Sequence, residues 1–168
     1  MQLSDAIRTR RSIRKYRPGV KVPRDDLEKI LEAAMMAPSA CNTRPWSFVV
    51  VQDDAMLEEL AQLHPYCRHV LTAGTAIVVC GLPPAQSGIC AGFWPQDCGA
   101  AVENILLQAL ELGYGTCWCG VYPNEERAAR LQTLLGVDAV PVAVVTVGEA
   151  DEAPKARGFF QPEKVKYI

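Results

Sequence analysis

The sequence predicts an α/β or α+β domain in which helices pack around a single sheet. Three observations indicate this: four short apolar runs typical of strands, helical periodicity between them, and 49% hydrophobic residues in a chain of 168. A chain of this length and composition can bury one good core but would struggle to build two. No internal repeat, low-complexity stretch or linker divides it, so we expect residues 1–168 to form one domain.

The first half of the chain alternates helix and strand. We predict a helix at 24–37, a strand at 47–51, a helix from Asp53 or Asp54 to about Leu63, and a strand at 75–82. Apolar residues recur on one face of the first helix, and Pro38 stops the pattern. Either aspartate can cap the second helix, because a carboxylate accepts hydrogen bonds from its first free amides. The two strands, SFVVV and TAIVVCGL, are apolar throughout, which indicates burial.

The second half repeats this alternation. We predict a helix at 96–112, a strand at 116–121, a helix at 124–135 and a strand at 140–148. Gly113 ends the long helix, Asn124 can cap the next one, and Gly136 closes it. The run VPVAVVTVG is so evenly apolar that both of its faces should be covered. Residues 149–168 have no convincing period, so we expect this tail to dock elsewhere.

Charge and cysteine content narrow the classes of function. The net charge of -2 argues against wholesale binding to nucleic acid, although eight of the 17 Lys and Arg residues precede residue 25. Seven cysteines are odd in number, and Cys80 lies in an apolar run where a reduced thiol packs well, so a disulfide framework is not expected. The N-terminus lacks the apolar core of a signal peptide, and no apolar run approaches the roughly 20 residues of a membrane span. We expect a cytoplasmic protein that binds neither nucleic acid nor membrane.

The basic run RTRRSIRKYR at 8–17 is a candidate anion site. Its guanidinium groups and Ser12 hydroxyl follow a short helix and can hold phosphate oxygens through charge-assisted hydrogen bonds. The alternative is a solvated basic face or a nucleic-acid patch. Neither a P-loop nor the dinucleotide string with three spaced glycines occurs, so arginines would have to hold the phosphate.

Three other segments carry weaker signals. The turn APSACNTRPW (37–46) presents polar side chains between two prolines, or is merely a tight connection. In LGYGTCWCG (112–120) Gly113 and Gly115 can let the backbone approach a flat ligand, or can simply end a helix. Lys155 and Arg157 in the tail can close over a phosphate or keep the terminus soluble.

Metal and hydrolase chemistry find little support. His64, Cys67 and His69 lie within six residues, but no second ligand pair follows at a spacing typical of structural zinc. Cys117 and Cys119 point to one face of a predicted strand, and we expect them to be core thiols. No Gly-x-Ser-x-Gly elbow occurs. We predict no metal site and no side-chain nucleophile.

Four ordered segments resemble the nitroreductase superfamily of flavin-dependent oxidoreductases. They are RRSIR at 10–14, the turn from Ala37 to Trp46, the segment from Leu112 to Gly120, and the tail segment Lys155 to Arg157. The resemblance covers essentially the whole chain. It implies an α+β fold of three α-β-α layers, with a mixed, mainly antiparallel sheet of four to five strands flanked by helices. It also implies a homodimer with exchanged termini, in which the tail at 149–168 embraces the partner subunit.

The resemblance further implies FMN bound at the interface of that dimer. One subunit would contact it through Arg10, Arg11, Ser12, Arg14, Thr116, Cys117, Trp118, Cys119, Gly120, Lys155 and Arg157, and the other through Pro38, Ser39, Ala40, Asn42 and Arg44. Arg14 would lie near the flavin edge that becomes negative on reduction. Backbone N–H groups around Cys119 and Gly120 would contact N5 or O4 of the flavin, whose N5 is the reactive centre, so no side chain is expected to act as acid or base.

The implied activity is that of an FMN-dependent NAD(P)H oxidoreductase. Hydride from NADH or NADPH would reduce the flavin, and ping-pong turnover would then reduce a small oxidised acceptor such as a nitroaromatic or a quinone. The alternative is a protein of the same fold that binds or stores flavin, degrades it, or removes halogens. Phe93 and Trp94 are candidates for an apolar lid over the substrate pocket. Arg44 replaces a glutamine of many relatives, and either favours acidic substrates or pairs with an acidic residue of the partner subunit.

Overall fold

The computed structural model describes residues 1–168 and contains six α-helices and four strands. The helices are α1 (Leu3–Thr9), α2 (Arg24–Met35), α3 (Asp54–Leu63), α4 (Val70–Ala73), α5 (Trp94–Glu111) and α6 (Glu125–Leu135). The strands are β1 (Trp46–Val51), β2 (Ala76–Gly81), β3 (Gly115–Gly120) and β4 (Val140–Gly148). Every helix and strand that the sequence predicts is confirmed to within two residues of its bounds. The single-turn helix α4 was not predicted, because four residues are too few to show a period.

The four strands form one antiparallel sheet in the order β1-β2-β4-β3. The two evenly apolar strands, β2 and β4, are the central ones, and nearly all of their residues are buried. Helices α2 and α5 pack on one face of the sheet, and α3, α4 and α6 pack on the other. The predicted three-layer α+β architecture is therefore confirmed, with β1 and β3 as the two edges of the sheet.

Local capping agrees with the sequence at both predicted positions. Asp53 Oδ1 accepts the Met56 N–H at 2.9 Å, and Asn124 Oδ1 accepts the Arg127 N–H at 2.8 Å. Gly136 closes α6 with a left-handed φ of 64°. These signals act within one helical turn, which is why they can be identified from sequence alone.

The cysteines depart from expectation at one pair. Cys41 and Cys90 form a disulfide, whereas no disulfide framework is expected from the sequence. The fold places the 37–46 turn against the loop before α5, with the two Cα atoms 6.2 Å apart, and 49 residues of intervening chain hide this proximity from sequence reasoning. The other five cysteines are free and buried, which the sequence predicts for Cys80, Cys117 and Cys119.

The tail contains one short 3-10 turn, at Pro162–Lys164, and is otherwise irregular. Its first residues join the body of the domain through backbone bonds, where Tyr16 pairs with Ala150 and the Asp151 N–H donates to Lys15 O at 2.9 Å. No helix combines the length and the apolar character needed to cross a membrane.

Candidate functional site

The basic segment runs beside the edge strand β3. The Ile13 N–H donates to Thr116 O at 2.8 Å, which forms a parallel bridge between Ser12 and Thr116. The buried Tyr16 hydroxyl donates to Ile13 O at 2.7 Å and lies 2.8 Å from Thr146 Oγ1. These bonds hold the backbone between the arginines in one conformation.

Gly115 has a different role from the predicted one. A Cβ atom there would lie 2.9 Å from Ile13 Cγ1 and 3.0 Å from Ala150 Cβ. The missing side chain therefore lets the basic segment and the tail pack against β3, a role that the sequence did not predict.

A cavity of about 690 Å³, here called the basic cavity, lies between the basic segment and the tail. It is lined by Ile7, Arg8, Arg10, Arg11, Ser12, Ala156, Arg157, Gly158, Phe159 and Phe160. Arg10 Nε donates to Glu103 Oε1 at 3.1 Å, whereas Arg11 Nη1 is buried without any hydrogen-bond partner. A buried cationic donor left unpaired is costly, so the basic cavity suits an anion such as a phosphate.

A second cavity, of about 500 Å³ and here called the strand cavity, opens beside β3. It is lined by Arg14, His64, Pro65, Tyr66, Arg68, His69, Cys117, Trp118, Cys119 and Gly120. Along an antiparallel strand, the backbone N–H and C=O groups of successive residues point alternately to its two sides. The backbone groups of Trp118 and Gly120 therefore point outward from the sheet, as the Thr116 carbonyl does. Because β3 is an edge strand, their N–H groups are free to bind ring atoms that accept hydrogen bonds.

His64 is a site residue that the sequence did not identify as one. Its Nε2 lies 2.8 Å from Gly120 O, so Nε2 carries the proton and donates it to this carbonyl. Its Nδ1 is buried without a partner. Burial lowers the pKa of His64 below its usual value of 6.5, and the nearby Arg127 charge lowers it further. The hydrogen bond to Gly120 raises the pKa but is outweighed. His64 is therefore a neutral support for the end of β3.

This state of His64 predicts a pH dependence of stability. The unfolded chain binds a proton with a pKa near 6.5, while the folded chain does so only at lower pH. The His64 contribution is therefore complete above pH 6.5 and is lost as pH falls through the folded pKa. We expect the urea midpoint of the wild type to drop more steeply from about pH 8 to pH 5 than that of His64→Gln. Equal slopes in the two proteins would contradict this assignment.

The 37–46 turn is held by an internal set of hydrogen bonds. The Arg44 N–H donates to Ser39 Oγ at 2.9 Å, and Arg44 Nε donates to Asn42 Oδ1 at 3.2 Å. Cys41, Asn42 and Arg44 have φ values of 51°, 53° and 48°, a conformation that costs a non-glycine residue about 1 kcal/mol or more. The bonds compensate for this strain and fix the shape of the turn.

The turn does not meet the basic segment within one chain. Neither the basic cavity nor the strand cavity is lined by any residue from 38 to 44, which includes Pro38, Ser39, Ala40, Asn42 and Arg44. Their predicted contact with the cofactor requires a second subunit and stays a prediction. For the same reason Arg44 keeps both of its predicted roles: it either favours acidic substrates or pairs with an acidic residue of the partner subunit.

The remaining predicted site residues divide three ways. Arg157 lines the basic cavity, but Lys155 is exposed and lines neither cavity. Phe93 is exposed and keeps its candidate place at a substrate pocket. Trp94 is a core residue: its ring lies 4.7 Å from that of Tyr122 and covers Gly81, which has no side chain. Its predicted role in a lid is therefore wrong, because α5 begins at Trp94 and directs the ring into the core.

Comparison with known proteins identifies the family of this chain. The family model described as Nitroreductase family matches residues 7–76 and 91–149. A Methanothermobacter thermautotrophicus protein with the provisional name NADH dehydrogenase/NAD(P)H nitroreductase is 42% identical over 98% of this chain and 86% of its own.

Two solved structures are similar over nearly the whole chain. An FMN-dependent nitroreductase from Clostridium difficile is 32% identical, with a TM-score of 0.88 and 98% of each chain covered. A protein from Desulfovibrio desulfuricans, provisionally called a nitroreductase and solved in complex with FMN, is 30% identical, with a TM-score of 0.86 and coverage of 100% and 97%. The family model matches most of this chain, which therefore belongs to the nitroreductase family.

Proposed function

We propose that the protein is an FMN-dependent oxidoreductase that takes hydride from NADH or NADPH and reduces a small oxidised acceptor, such as a nitroaromatic or a quinone. The observation that carries the proposal is the buried, unpaired Arg11 Nη1 in the basic cavity, beside Ser12 and Arg157. The FMN phosphate would accept hydrogen bonds from these groups. The FMN-dependent nitroreductase from Clostridium difficile and the FMN complex from Desulfovibrio desulfuricans support the same cofactor.

The strand cavity would receive the flavin ring. Bound FMN supplies hydride transfer in two alternating half-reactions, from NAD(P)H and then to the acceptor, which is ping-pong turnover. Arg14 lines this cavity, and its guanidinium favours negative charge on the ring edge that it faces. The outward N–H groups of Trp118 and Gly120 orient ring atoms that accept hydrogen bonds. The residues of the chain thus bind, orient and stabilise charge, and none is needed as an acid or base.

We further propose that the active form is a homodimer in which the 37–46 turn of one subunit completes the site of the other. Two observations support this. The strained turn lies outside both cavities of its own chain, and large apolar side chains at both termini are exposed, among them Leu3, Ile7, Phe159, Phe160, Tyr167 and Ile168. Burying these side chains against a second copy would be favourable.

Anaerobic mixing of the FMN-loaded protein with NADH and with NADPH tests the activity. We expect at least one nicotinamide to bleach the flavin absorbance, and a nitroaromatic or a quinone to restore it. A flavin that stays oxidised with both nicotinamides would instead indicate a storage protein. Loss of the flavin spectrum that no acceptor reverses would indicate a flavin-degrading one. Light scattering on the same sample is expected to give twice the mass of one chain, and a monomer that retains FMN would contradict the shared site.

A further inference from the structure

A cluster of soft ligand atoms lies beneath the strand cavity. His69 Nε2 and the Sγ atoms of Cys117 and Cys119 all lie within 4.8 Å of one another, and Cys119 Sγ is 3.7 Å from His69 Nε2. Both thiols are buried, whereas His69 is half-buried. The pair on β3 and the histidine before α4 come from separate parts of the chain, so the cluster exists only in the folded protein.

Cys67 lies close to this cluster. Its side chain is fully buried and belongs to the same core cluster as those of Cys117 and Cys119. Cys119 Sγ also lies 3.6 Å from the backbone oxygen of Tyr66, the residue before Cys67. Cys67 and His69 are two residues apart, as are Cys117 and Cys119. Cys67 is therefore a candidate for a fourth ligand.

The other free cysteines lack this environment. Cys80 Sγ and Cys98 Sγ each contact a backbone carbonyl, of Val78 at 4.0 Å and of Pro45 at 3.6 Å, and neither faces a histidine. They are ordinary core thiols. The cluster differs because imidazole nitrogen and thiol sulfur without any carboxylate are the donor set that Zn²⁺ prefers in structural sites.

We propose that His69, Cys117 and Cys119, with Cys67 as the fourth ligand, bind one Zn²⁺ ion per chain. Zn–S bonds of about 2.3 Å and Zn–N bonds of about 2.0 Å place tetrahedral ligand atoms about 3.5 to 3.8 Å apart. The separation between Cys119 Sγ and His69 Nε2 already meets this, and the longest separation among His69, Cys117 and Cys119 must shorten by about 1 Å. Cys67 Sγ lies outside this group of three and must move in to complete the tetrahedron. The three thiols release their protons to solvent on binding, as Zn²⁺ ligands do.

The ion would join the segment before α4 to the edge strand β3. Cys67 and His69 lie on the first element and Cys117 and Cys119 on the second, and no covalent bond otherwise links the two. Zinc has no redox chemistry of its own, so its role here is structural. It revises the expectation of no metal site, which considered His64, Cys67 and His69 as neighbours in sequence only. The proposal is tested separately from the cofactor, because its readouts are metal binding and stability.

Metal titration of the full chain tests the site. After treatment with a chelator, Zn²⁺ is added in competition with a chromophoric chelator, and X-ray absorption at the zinc edge reports the ligand atoms. We expect one Zn²⁺ per chain, a shell of sulfur and nitrogen, and a thermal midpoint that rises with added Zn²⁺. Cys117→Ala and His69→Ala are expected to weaken binding about 100-fold or more, while the buried control Cys80→Ala keeps the wild-type affinity.

His69→Ala decides the matter if Cys117→Ala fails to fold, because His69 is half-buried and tolerates truncation better. The proposal is overturned by wild-type protein that binds no stoichiometric Zn²⁺. It is equally overturned by a shell of oxygen ligands, or by His69→Ala binding as tightly as Cys80→Ala.

Discussion

Arg11→Met is expected to weaken FMN binding about 10- to 100-fold while it stabilises the flavin-free chain. The two effects have opposite signs because Arg11 Nη1 is buried and has no partner in the protein itself. A phosphate would satisfy it with a charge-assisted hydrogen bond worth about 1.5 to 3 kcal/mol. Without that phosphate the buried, unpaired Nη1 destabilises the chain. Methionine removes this donor, so we expect a gain of about 1 kcal/mol in the free energy of unfolding.

Fluorescence titration with FMN and urea denaturation of the flavin-free protein measure the two quantities. Arg17→Gln is the matched control: Arg17 belongs to the same basic run but is exposed and lines neither cavity. The control should leave the FMN affinity near that of the wild type. Arg11→Lys should recover only part of the affinity, since an ammonium lacks the forked geometry of a guanidinium. If Arg11→Met binds FMN as tightly as Arg17→Gln, the phosphate does not bind at Arg11.

Asp97→Ala is expected to lower the free energy of unfolding by about 2 to 4 kcal/mol. Asp97 is buried in the first turn of α5 and accepts the Ala40 N–H at 3.2 Å on both carboxylate oxygens. It also accepts Gln86 Nε2 at 2.7 Å, and Gln86 Oε1 is itself buried without a partner. Truncation would remove the carboxylate that accepts hydrogen bonds from the Ala40 N–H and from Gln86 Nε2. Water cannot readily replace the carboxylate in this site.

The same change also tests the shared site, because the bond to Ala40 fixes the 37–46 turn. Asp97 lines neither cavity of its own chain. A loss of FMN affinity in Asp97→Ala would therefore act through the turn, which the proposed dimer lends to the partner subunit. Asp25→Ala is the control, since Asp25 also lies in the first turn of a helix but is exposed. A loss of stability no larger in Asp97→Ala than in this control would contradict the argument.

Local signals in the sequence predicted the secondary structure well. Asp53, Asn124 and Gly136 act within one helical turn, and their roles follow from the residue type and its position beside an apolar run. The even apolar pattern of 140–148 predicted a strand covered on both faces, and β4 lies at the centre of the sheet. The basic run was likewise identified as a candidate anion site, because five arginines in so short a stretch need counter-charge.

Signals that depend on distant contacts were missed or misassigned. An aromatic residue beside a proline, such as Trp94, suits an exposed lid or the start of a buried helix, and only its packing on Tyr122 distinguishes them. Gly115 suggested close approach of a ligand or the end of a helix, and only the fold shows that it also lets Ile13 and Ala150 pack against β3. The pairing of Cys41 with Cys90 spans 49 residues, and no local pattern encodes that separation.

By itself the sequence determined the elements, the apolar strands of the sheet and the clustering of positive charge, because each depends on neighbours within a few residues. Tertiary structure alone decided which arginine is unpaired: Arg10 meets Glu103 on α5, whereas Arg11 Nη1 is buried in the same segment without a partner. It also decided that His69 belongs with Cys117 and Cys119. Side-chain environment follows from how layers pack, and packing joins residues whose separation in sequence carries no signal of their contact.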